Sequence, residues 1–383
     1  MALAHHCSHG GAYSVDHRLV RVDCSSSINP LGMPREAMRA IAKDMGQLVT
    51  TYPDPQCRQL KKAVARYLKV KQEQVAAGNG AAEIIYWFAR LAASSVERGG
   101  GNRRAIIPAP TFCEYELASQ KAGLRAEFVP LTADFALDPD AVLAAAARGS
   151  EGGAIFLCNP NNPTGRLDTA AVKKIIENAG SQWMVLLDEC FIELATTTTT
   201  TTTAAGRNGG ESMVKLVDDH PNLVVLRSLT KSFGMAGLRA GYSVSSPEIA
   251  ARLSAMAAPW NVNGLAQAAG VAALASAESH LKKTRALVEK ERAFLFERIG
   301  SRVGSLTPLK SDANFFMIRL EGGGGENQDS TEFRDRLLKK TGVLVRDCST
   351  FTGMGSQHIR VAVKTHRENV ALVKALEAIT KGG

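Results

Sequence analysis

Short apolar segments alternate with longer amphipathic ones through the first two thirds of the chain. Five short segments are strand candidates, three of them by the Val, Ile and Leu content typical of buried strands, and segments with helical spacing of apolar positions separate them. The strand candidates are residues 104–108, 126–129, 154–158, 183–187 and 223–226, and the helix candidates are residues 59–68, 84–92, 170–178 and 248–257. Because strands and helices alternate, this pattern predicts an α/β layer with a largely parallel sheet.

The pattern changes after about residue 270. A long helical stretch is followed by strands and helices in a different order: helix 271–300, strand 313–320, helix 330–341, strands 343–346 and 359–363, and a final helix from residue 367. This order predicts a separate, smaller α/β domain. We therefore expect an N-terminal arm and small-domain segment (1–45), a large domain (46–275) and a small C-terminal domain (276–383).

Two tracts interrupt the pattern and are predicted to be surface insertions. One covers residues 322–327, and the other is the run of eight threonines at 196–203 with the residues that follow it to 210. A repeat of β-branched polar residues has nothing to pack against, so the threonine run is predicted to be a mobile loop.

Composition narrows the class of protein. The chain has 383 residues, of which 45% are hydrophobic and 22% charged, as in an ordinary globular protein. No apolar run approaches the roughly 18 residues needed to cross a bilayer, and the first residues lack the apolar core of a signal peptide. We expect a cytoplasmic protein that makes no use of a membrane.

Cysteine and charge exclude further classes. The seven cysteines are scattered, odd in number and free of C-x-x-C pairs, so we expect them to be reduced, without a disulfide framework or a metal site. The cluster of His5, His6, Cys7 and His9 is interpreted as a flexible N-terminus. The net charge of +9 is dispersed, which speaks against a nucleic-acid partner, although a binding protein without catalysis stays an alternative.

Residues with chemical potential follow several strand candidates, where ligands collect in open α/β sheets. Gly80, Ala81 and Ala82 form a turn that opens helix 84–92, so their N–H groups are available to an anion. Phe112 follows strand 104–108 and suits either stacking on a flat ring or packing at a domain boundary. Asn162 lies in the stiff turn 159–165, where its amide can reach a ring hydroxyl.

The next two strand candidates end in charged groups. Asp188 follows strand 183–187 and can pair with a pyridine nitrogen. Lys231 follows strand 223–226, and Ser228, Thr230 and Arg239 around it can donate to a phosphate. Burial and a nearby arginine lower a lysine pKa and so increase the fraction of the reactive neutral amine. Alone, this lysine segment is also typical of a surface lysine.

The order of these motifs resembles the fold-type I pyridoxal-phosphate enzymes of the class I/II aminotransferase superfamily, over nearly the whole chain. The resemblance implies a mixed, mostly parallel seven-stranded sheet flanked by helices, with a smaller C-terminal α/β domain, and pyridoxal 5′-phosphate as cofactor. It implies the following roles: Lys231 for the Schiff base, Asp188 for the pyridine nitrogen, Asn162 for the ring hydroxyl, Phe112 for stacking, and Gly80, Ala81, Ala82, Ser228, Thr230 and Arg239 for the phosphate.

The same resemblance implies a homodimer. Tyr52 would then reach the cofactor phosphate of the neighbouring subunit, although by itself it suits a turn tyrosine. Arg360, in the last strand candidate, matches the carboxylate-binding arginine of the family, although by itself it suits an exposed strand position.

Within the superfamily, segments 9–11, 23–34, 52–55, 259–266 and 345–349 resemble the L-threonine-O-3-phosphate decarboxylases of cobalamin biosynthesis, a group close to the histidinol-phosphate aminotransferases. Segment 231–239 resembles the aminotransferase form at least as well. Phe191 stands where those aminotransferases typically have a tyrosine that bonds the cofactor hydroxyl, which favours the decarboxylase. Decarboxylation is therefore expected, with glutamate-dependent transamination as the alternative.

The bond that breaks at the substrate α-carbon is the one held perpendicular to the cofactor ring. A decarboxylase must therefore turn the substrate carboxylate out of the ring plane, whereas a transaminase exposes the C–H bond. We expect a phosphorylated amino acid as substrate, held by His9, Asn29, Asn162, Arg346 and Arg360. The expected product is (R)-1-amino-2-propanol O-2-phosphate.

Overall fold

The structure is a computed structural model that describes residues 9–94, 103–148, 152–196, 210–321 and 329–380. The threonine tract beyond Thr196 and the predicted insertion at 322–327 lie outside the described residues. So do His5, His6 and Cys7 of the N-terminal cluster. The predictions for these segments stay predictions.

Thirteen strands are found in the described part of the chain. They are β1 (Val22–Asp23), β2 (Val75–Gly78), β3 (Arg104–Ala109), β4 (Arg125–Pro130), β5 (Gly153–Cys158), β6 (Trp183–Asp188), β7 (Leu223–Ser228), β8 (Gly241–Ser245), β9 (Leu306–Pro308), β10 (Phe315–Leu320), β11 (Val343–Leu344), β12 (Arg346–Asp347) and β13 (His358–Ala362).

Twelve α-helices accompany them in the same described ranges. They are α1 (Arg35–Thr50), α2 (Arg58–Leu68), α3 (Ala81–Ser94), α4 (Glu114–Lys121), α5 (Pro139–Ala147), α6 (Thr169–Asn178), α7 (Leu229–Ser232), α8 (Pro247–Ala255), α9 (Gly264–Ala275), α10 (Ala277–Arg302), α11 (Ser330–Thr341) and α12 (His366–Thr380).

The main sheet has seven strands in the order β2-β8-β7-β6-β5-β3-β4. All neighbours pair in parallel except β8, which runs antiparallel to both β2 and β7. Apolar side chains on its two faces belong to two separate core clusters. Strands covered on both faces are largely apolar, which is why the sequence pattern revealed the buried parallel strands β3, β5, β6 and β7. The predicted mixed, mostly parallel seven-stranded sheet is confirmed.

Local sequence signals explain where several helices begin. Asp138 accepts hydrogen bonds from the first N–H groups of α5, and Pro139 occupies its first turn. The predicted helix 271–300 is wrong in its bounds, because α9 and α10 are separate helices that meet at Ser276. The Ser276 hydroxyl bonds to the carbonyls of Ala272 and Ala273, a contact that competes with continued helix.

A smaller antiparallel sheet forms the C-terminal part, in the order β12-β13-β10-β9. The predicted strand 343–346 is divided into β11 and β12, which belong to different sheets. Strand β11 pairs in parallel with β1, and thereby attaches the N-terminal segment to the C-terminal part of the chain. The predicted division into domains at residues 45 and 275 stays a prediction.

Two further properties follow from the described residues. No helix among them combines the length and the apolar character that spanning a membrane requires.

Cys113 is disulfide-bonded, so the prediction that every cysteine is reduced is wrong at this position. Spacing rules detect close C-x-x-C pairs but give no information on pairing between distant segments. Free thiols are found at Cys24, Cys57, Cys158, Cys190 and Cys348.

Candidate active site

A cavity of about 310 Å³ lies at the carboxyl ends of the central parallel strands. Its walls come from the loops after β3 and β5, the ends of β6 and β7, the start of α3, the N-terminal segment, and the small sheet. The residues that line the cavity include His9, Ala81, Ala82, Phe112, Asn162, Asp188, Phe191, Ser228, Thr230, Lys231, Arg239, Arg346 and Arg360. This edge of an α/β sheet is the usual place for a ligand.

One end of the cavity is a cradle for an anion. Ala81 and Ala82 are the first residues of α3, whose leading N–H groups lack intrahelical partners. Gly80 has a φ of +83°, and a Cβ there would come within 2.6 Å of the Arg239 guanidinium. A Cβ on Gly241 would come within 2.6 Å of the Ala81 nitrogen. The two glycines therefore let an arginine and a strand approach the helix start closely.

Hydroxyl groups complete the cradle. Ser228 ends β7 and Thr230 lies one residue before Lys231 in α7, and both are buried. The Thr230 hydroxyl has no hydrogen-bond partner among the described residues. A buried hydroxyl without a partner is costly, so this group is suited to a ligand oxygen.

Lys231 supplies the amine of the cavity. Loss of hydration lowers the pKa of Lys231 to about 8, and the cationic groups of Arg360 and Arg239 act in the same direction. The amine lies 5.9 Å from the centre of the Phe191 ring. A lysine with this pKa is partly neutral near pH 8 and can act as a nucleophile.

Asp188 supplies a carboxylate on the cavity floor. Its Oδ2 accepts a hydrogen bond from the Tyr115 hydroxyl at 2.8 Å, and its Oδ1 accepts one from the N–H of Cys190 at 2.9 Å. Burial raises the pKa of Asp188, whereas these donors and the nearby Lys231 oppose that shift. The donors thus hold a desolvated carboxylate in one orientation.

The small sheet contributes two arginines. Arg346 on β12 and Arg360 on β13 are directly paired positions of neighbouring antiparallel strands, and both line the cavity. Arg360 donates to the Asn162 side-chain oxygen and, at 2.9 Å, to the carbonyl of Ser25. Burial lowers the pKa of Arg360 to about 10 and also lowers the pKa of Arg346. Like charges at paired positions repel, and an anion between them removes that cost.

The opposite wall is aromatic. The Phe112 ring lies 5.9 Å from the His9 ring and 5.7 Å from the Tyr115 ring. His9 contacts Glu114 at 2.9 Å, and this hydrogen bond is the main cause of a lowered pKa at Glu114. Phe112 therefore offers a flat apolar surface, and His9 lies beside it at the mouth of the cavity.

Two predicted site residues lie elsewhere. Asn29 is buried, and its amide donates to the carbonyl of Ser232 at 2.8 Å and to the Thr284 hydroxyl at 3.0 Å, away from the residues that line the cavity. Tyr52 is 78% exposed and stacks on Trp260 at 4.6 Å, also outside the lining. Asn29 accordingly supports the lysine segment from behind, and Tyr52 lies on the surface beside Trp260.

The family model for class I and II aminotransferases matches residues 22–379, nearly the whole chain. The chain belongs to the class I and II aminotransferase family. Members of this family depend on pyridoxal 5′-phosphate, so the protein is a pyridoxal-phosphate enzyme.

Relatives in the class I and II aminotransferase family include two kinds of enzyme. The histidinol-phosphate aminotransferase of Symbiobacterium thermophilum is 36% identical over 366 residues, which cover 94% of this chain and 91% of the relative. A protein of Caldanaerobacter subterraneus subsp. tengcongensis named "putative threonine-phosphate decarboxylase" is 32% identical over 385 residues, which cover 98% of this chain and 94% of the relative.

Among solved structures, the histidinol-phosphate aminotransferase of Sinorhizobium meliloti in complex with pyridoxal-5′-phosphate superposes with a TM-score of 0.83. It is 22% identical, and the match covers 97% of this chain and 95% of that structure. The likeness establishes the aminotransferase fold for this chain.

The cavity of this member of the class I and II aminotransferase family fits the cofactor. A phosphate suits the cradle at the start of α3, where the Thr230 hydroxyl lacks a partner and Gly80 leaves room. An aldehyde suits the amine of Lys231, and a protonated ring nitrogen suits the carboxylate of Asp188. The anion site, the amine and the carboxylate all line one cavity.

Sequence reasoning missed Tyr115 and Cys190, which hold Asp188 in place. Tyr115 lies in the first turn of α4, where an aromatic residue is equally typical of the core. The Cys190 contribution is a backbone N–H, for which a sequence carries no signal. Glu114, the partner of His9 and of the Tyr86 hydroxyl at 2.7 Å, was missed because an acidic residue is common in the first turn of any helix.

Proposed function

We propose that this enzyme decarboxylates L-threonine O-3-phosphate to (R)-1-amino-2-propanol O-2-phosphate, a step of cobalamin biosynthesis. The cavity offers basic groups for two anionic substituents of one small substrate, a phosphate and an α-carboxylate. The paired positions of Arg346 and Arg360 are the observation that carries this proposal. Two guanidinium groups on one face of adjacent strands suit a substrate with two neighbouring anionic groups better than a substrate with a single anionic group.

In this proposal the lining residues of the cavity would hold the cofactor. Ala81, Ala82, Ser228, Thr230 and Arg239 would hold its phosphate, with Gly80 leaving room for Arg239. Lys231 would supply the amine for its aldehyde, Asp188 would pair with its ring nitrogen, Asn162 would bind its ring hydroxyl and Phe112 would stack on its ring. The bound cofactor supplies an electron sink for the bond that breaks at the substrate α-carbon.

The residues around the substrate decide which bond that is. Arg346 and His9 would bind the substrate phosphate, and Arg360 would bind and orient the substrate carboxylate. Arg360 is itself fixed by Asn162 and by the carbonyl of Ser25, so its position does not depend on the substrate. A fixed cation of this kind orients a carboxylate without reorganisation during the reaction.

Loss of CO2 leaves the α-carbon in need of a proton. The amine of Lys231 lines the cavity, and its lowered pKa of about 8 would make it a suitable proton donor near neutral pH. We therefore assign the return of the proton to Lys231.

Phe191 supports decarboxylation over transamination. Its ring is 6% exposed and packs edge-to-face on Phe315 at 4.8 Å, beside Lys231. A tyrosine here would place a hydroxyl near the cofactor, as is typical of the aminotransferases. The phenylalanine removes that donor.

Histidinol-phosphate aminotransferase is the second candidate. The 36% identity to the enzyme of Symbiobacterium thermophilum exceeds the 32% identity to the decarboxylase relative. The proposed binding of a substrate phosphate by Arg346 and His9 suits histidinol phosphate as well. The two candidates differ in whether CO2 is released and whether 2-oxoglutarate is needed.

We also propose a homodimer in which Tyr52 reaches the cofactor phosphate of the neighbouring subunit. Tyr52 lies next to an exposed apolar face that includes Met38, Met45 and Val49 of α1 and Trp260. Val49→Glu should convert the protein to a monomer in light scattering and weaken cofactor binding. A Val49→Glu protein that stays dimeric would contradict this interface.

The deciding experiment gives the purified holoenzyme two substrates in separate assays. Release of CO2 from threonine phosphate without 2-oxoglutarate is expected. Conversion of imidazole-acetol phosphate with glutamate, without CO2, would establish the aminotransferase and refute the decarboxylase. Serine phosphate in the first assay measures the contribution of the substrate methyl group.

Lys231→Ala should abolish both the activity and the visible absorption band of the lysine-bound cofactor. Lys61→Ala is the matched control, because burial also lowers the pKa of Lys61, and its amine contacts Ser254 at 3.3 Å outside the cavity. A Lys231→Ala protein that keeps the band would show that another lysine holds the cofactor.

A further inference from the structure

A buried ionic cluster lies directly behind the proposed cofactor site, on the other face of the main sheet. We name it the Arg227 cluster, and it consists of Arg227, Glu189, Glu193 and Ser212. The Arg227 and Glu189 side chains are 4% and 0% exposed and the Glu193 side chain is 7% exposed. None of these four residues lines the cavity.

Every charged group of the Arg227 cluster has a partner within it. Arg227 donates through Nε to Glu189 at 2.9 Å, through Nη1 to Glu193 at 3.0 Å and through Nη2 to the Ser212 hydroxyl at 2.7 Å. Glu189 accepts further bonds from the Ser212 hydroxyl at 2.7 Å and from the N–H of Met213 at 2.8 Å. The guanidinium is therefore held from three sides in one position.

The Arg227 cluster lies at the ends of the two strands that carry Asp188 and Ser228. Asp188 ends β6 and Glu189 follows it, while Arg227 and Ser228 are the last two residues of β7. Successive side chains of an extended chain point to opposite faces, so Asp188 and Ser228 face the cavity while Glu189 and Arg227 face away. The ion pair thus joins the two strand ends that carry Asp188 and Ser228.

Main-chain contacts also join neighbouring strands at the ends of β6 and β7. The N–H of Glu189 donates to the carbonyl of Leu226 at 2.9 Å, and Arg227 is directly opposite Tyr242 on β8. One pair further along, Ser228 is opposite Gly241, whose close approach to Ala81 shapes the anion cradle. The Arg227 cluster therefore adjoins the carboxylate end and the phosphate end of the site.

We propose that the Arg227 cluster is a positioning device for the cofactor. It fixes the separation between Asp188 and Ser228, the groups proposed to bind the ring nitrogen and the phosphate. A cofactor held at both ends binds tightly only if that separation is correct, because a shift of about half an ångström already loosens such a site. This inference rests on the proposed roles of Asp188 and Ser228, and it holds for either candidate reaction.

Arg104 provides a matched control, at the amino ends of the strands of the main sheet. Arg104 is also a buried arginine, 7% exposed in its side chain, and it donates to Glu127 at 2.8 Å and to the carbonyl of Ala145 at 3.0 Å. Arg104 begins β3, and therefore lies at the amino ends of the strands, away from the cavity. Removing it breaks a comparable ion pair without touching the strand ends that carry the site.

The test compares Arg227→Met with Arg104→Met. Thermal unfolding of each apo-protein measures stability, and titration of each apo-protein with pyridoxal 5′-phosphate measures the dissociation constant. We expect both variants to lower the melting temperature. Arg227→Met alone should weaken cofactor binding, by about 10- to 100-fold, the loss seen when outer partners of ligand-binding groups are removed at metal sites. Arg227→Lys should restore part of that loss.

Glu193→Gln is the milder variant if Arg227→Met does not fold, since it removes one of two carboxylates and keeps the side-chain shape. Equal dissociation constants for the Arg227→Met (or Glu193→Gln) protein and for Arg104→Met would overturn the positioning role and leave the cluster purely structural. Failure of the wild-type protein to bind pyridoxal 5′-phosphate would instead refute the proposed cofactor site itself.

Discussion

The Tyr115 hydroxyl donates a hydrogen bond to Asp188 at 2.8 Å inside the apolar core. Tyr115 also stacks on Phe156 at 5.2 Å and is fully buried, so its ring has little freedom to move. The carboxylate proposed to face the cofactor nitrogen is thus oriented by a tyrosine that never contacts solvent. The Tyr115 hydroxyl thus acts together with the N–H of Cys190 and with Lys231 to favour the charged form of Asp188.

Tyr115→Phe should shift the acidic side of the pH profile. Burial raises the pKa of Asp188, and the Tyr115 hydrogen bond opposes that rise. Removing the hydroxyl therefore raises this pKa further, so ionised Asp188 is lost at a higher pH. A hydrogen bond to a charged group contributes about 1.5–3 kcal/mol, which corresponds to a shift of about one to two pH units in the acid limb of kcat/KM.

Tyr86→Phe is the control for that shift, because the Tyr86 hydroxyl donates to Glu114 instead, at 2.7 Å. It should leave the acid limb in place. An acid limb that does not move in Tyr115→Phe would mean that Asp188 is not the group that titrates there.

Thr230→Val should change the apo-protein and the holoenzyme in opposite directions. The Thr230 hydroxyl is buried without a partner among the described residues, so its removal should stabilise the apo-protein or leave it unchanged. The same change removes a proposed phosphate donor, and we expect cofactor affinity to fall by about fivefold, or ~1 kcal/mol. Melting temperature and cofactor titration measure the two effects.

Thr284→Val is the control for Thr230→Val, and its effects on melting temperature and cofactor affinity should differ. Its hydroxyl is already paired, with the carbonyl of His280 at 2.9 Å and with Asn29, so this change should lower the melting temperature and leave cofactor affinity unchanged. Loss of stability in the Thr230→Val apo-protein would refute the assignment of that hydroxyl to the phosphate.

Arg346→Met should weaken substrate binding more than it changes the cofactor. Truncating one partner of a buried charge pair costs about 2–4 kcal/mol, so kcat/KM for threonine phosphate should fall by about 30- to 1,000-fold. The visible absorption of the holoenzyme should be retained. Arg334→Met, which removes a cation 3.7 Å from Asp347 outside the cavity lining, should leave kcat/KM nearly unchanged.

An Arg346→Met enzyme with normal kcat/KM would remove Arg346 from the substrate site. An enzyme that loses the cofactor as well would show that this arginine acts on the fold of the site. Steady-state kinetics together with the absorption spectrum separate these outcomes.

Phe191→Tyr should increase transamination relative to decarboxylation. The new hydroxyl would lie beside Lys231, where a tyrosine is typical of the aminotransferases. The measurement is the ratio of CO2 released to amino groups transferred to pyridoxal 5′-phosphate during reaction with threonine phosphate. A ratio identical to the wild-type value would remove Phe191 as a determinant of the reaction type.

Four of the strand candidates were predictable because β3, β5, β6 and β7 are buried along their length and rich in apolar residues. The fifth lies in β4, a partly exposed strand at the edge of the sheet. Strands β2 and β8 were missed, since Val75–Gly78 is short and rich in alanine and Gly241–Ser245 alternates with serine and glycine. The antiparallel position of β8 between β2 and β7 is a property of the whole sheet, and no local pattern encodes it.

The candidate site, like the fold, was predictable from the sequence only in part. Ala81, Asn162, Asp188 and Lys231 were found because each follows a strand or opens a helix, where the sheet brings side chains together. Asn29 was assigned to the substrate from a motif, whereas its amide supports Ser232 from behind. Motif position alone does not tell which side of a segment a side chain faces, and only the packed structure settles that.

The hydrogen bond from Arg360 to Ser25 joins positions that are 335 residues apart. During translation the N-terminal wall of the cavity leaves the ribosome long before strand β13 does. The cavity is complete only after Arg360 has been made, because long-range contacts form after the segments between them. Cofactor capture is thereby a late event in biogenesis, and a chain released before Arg360 lacks the wall that faces its own N-terminus.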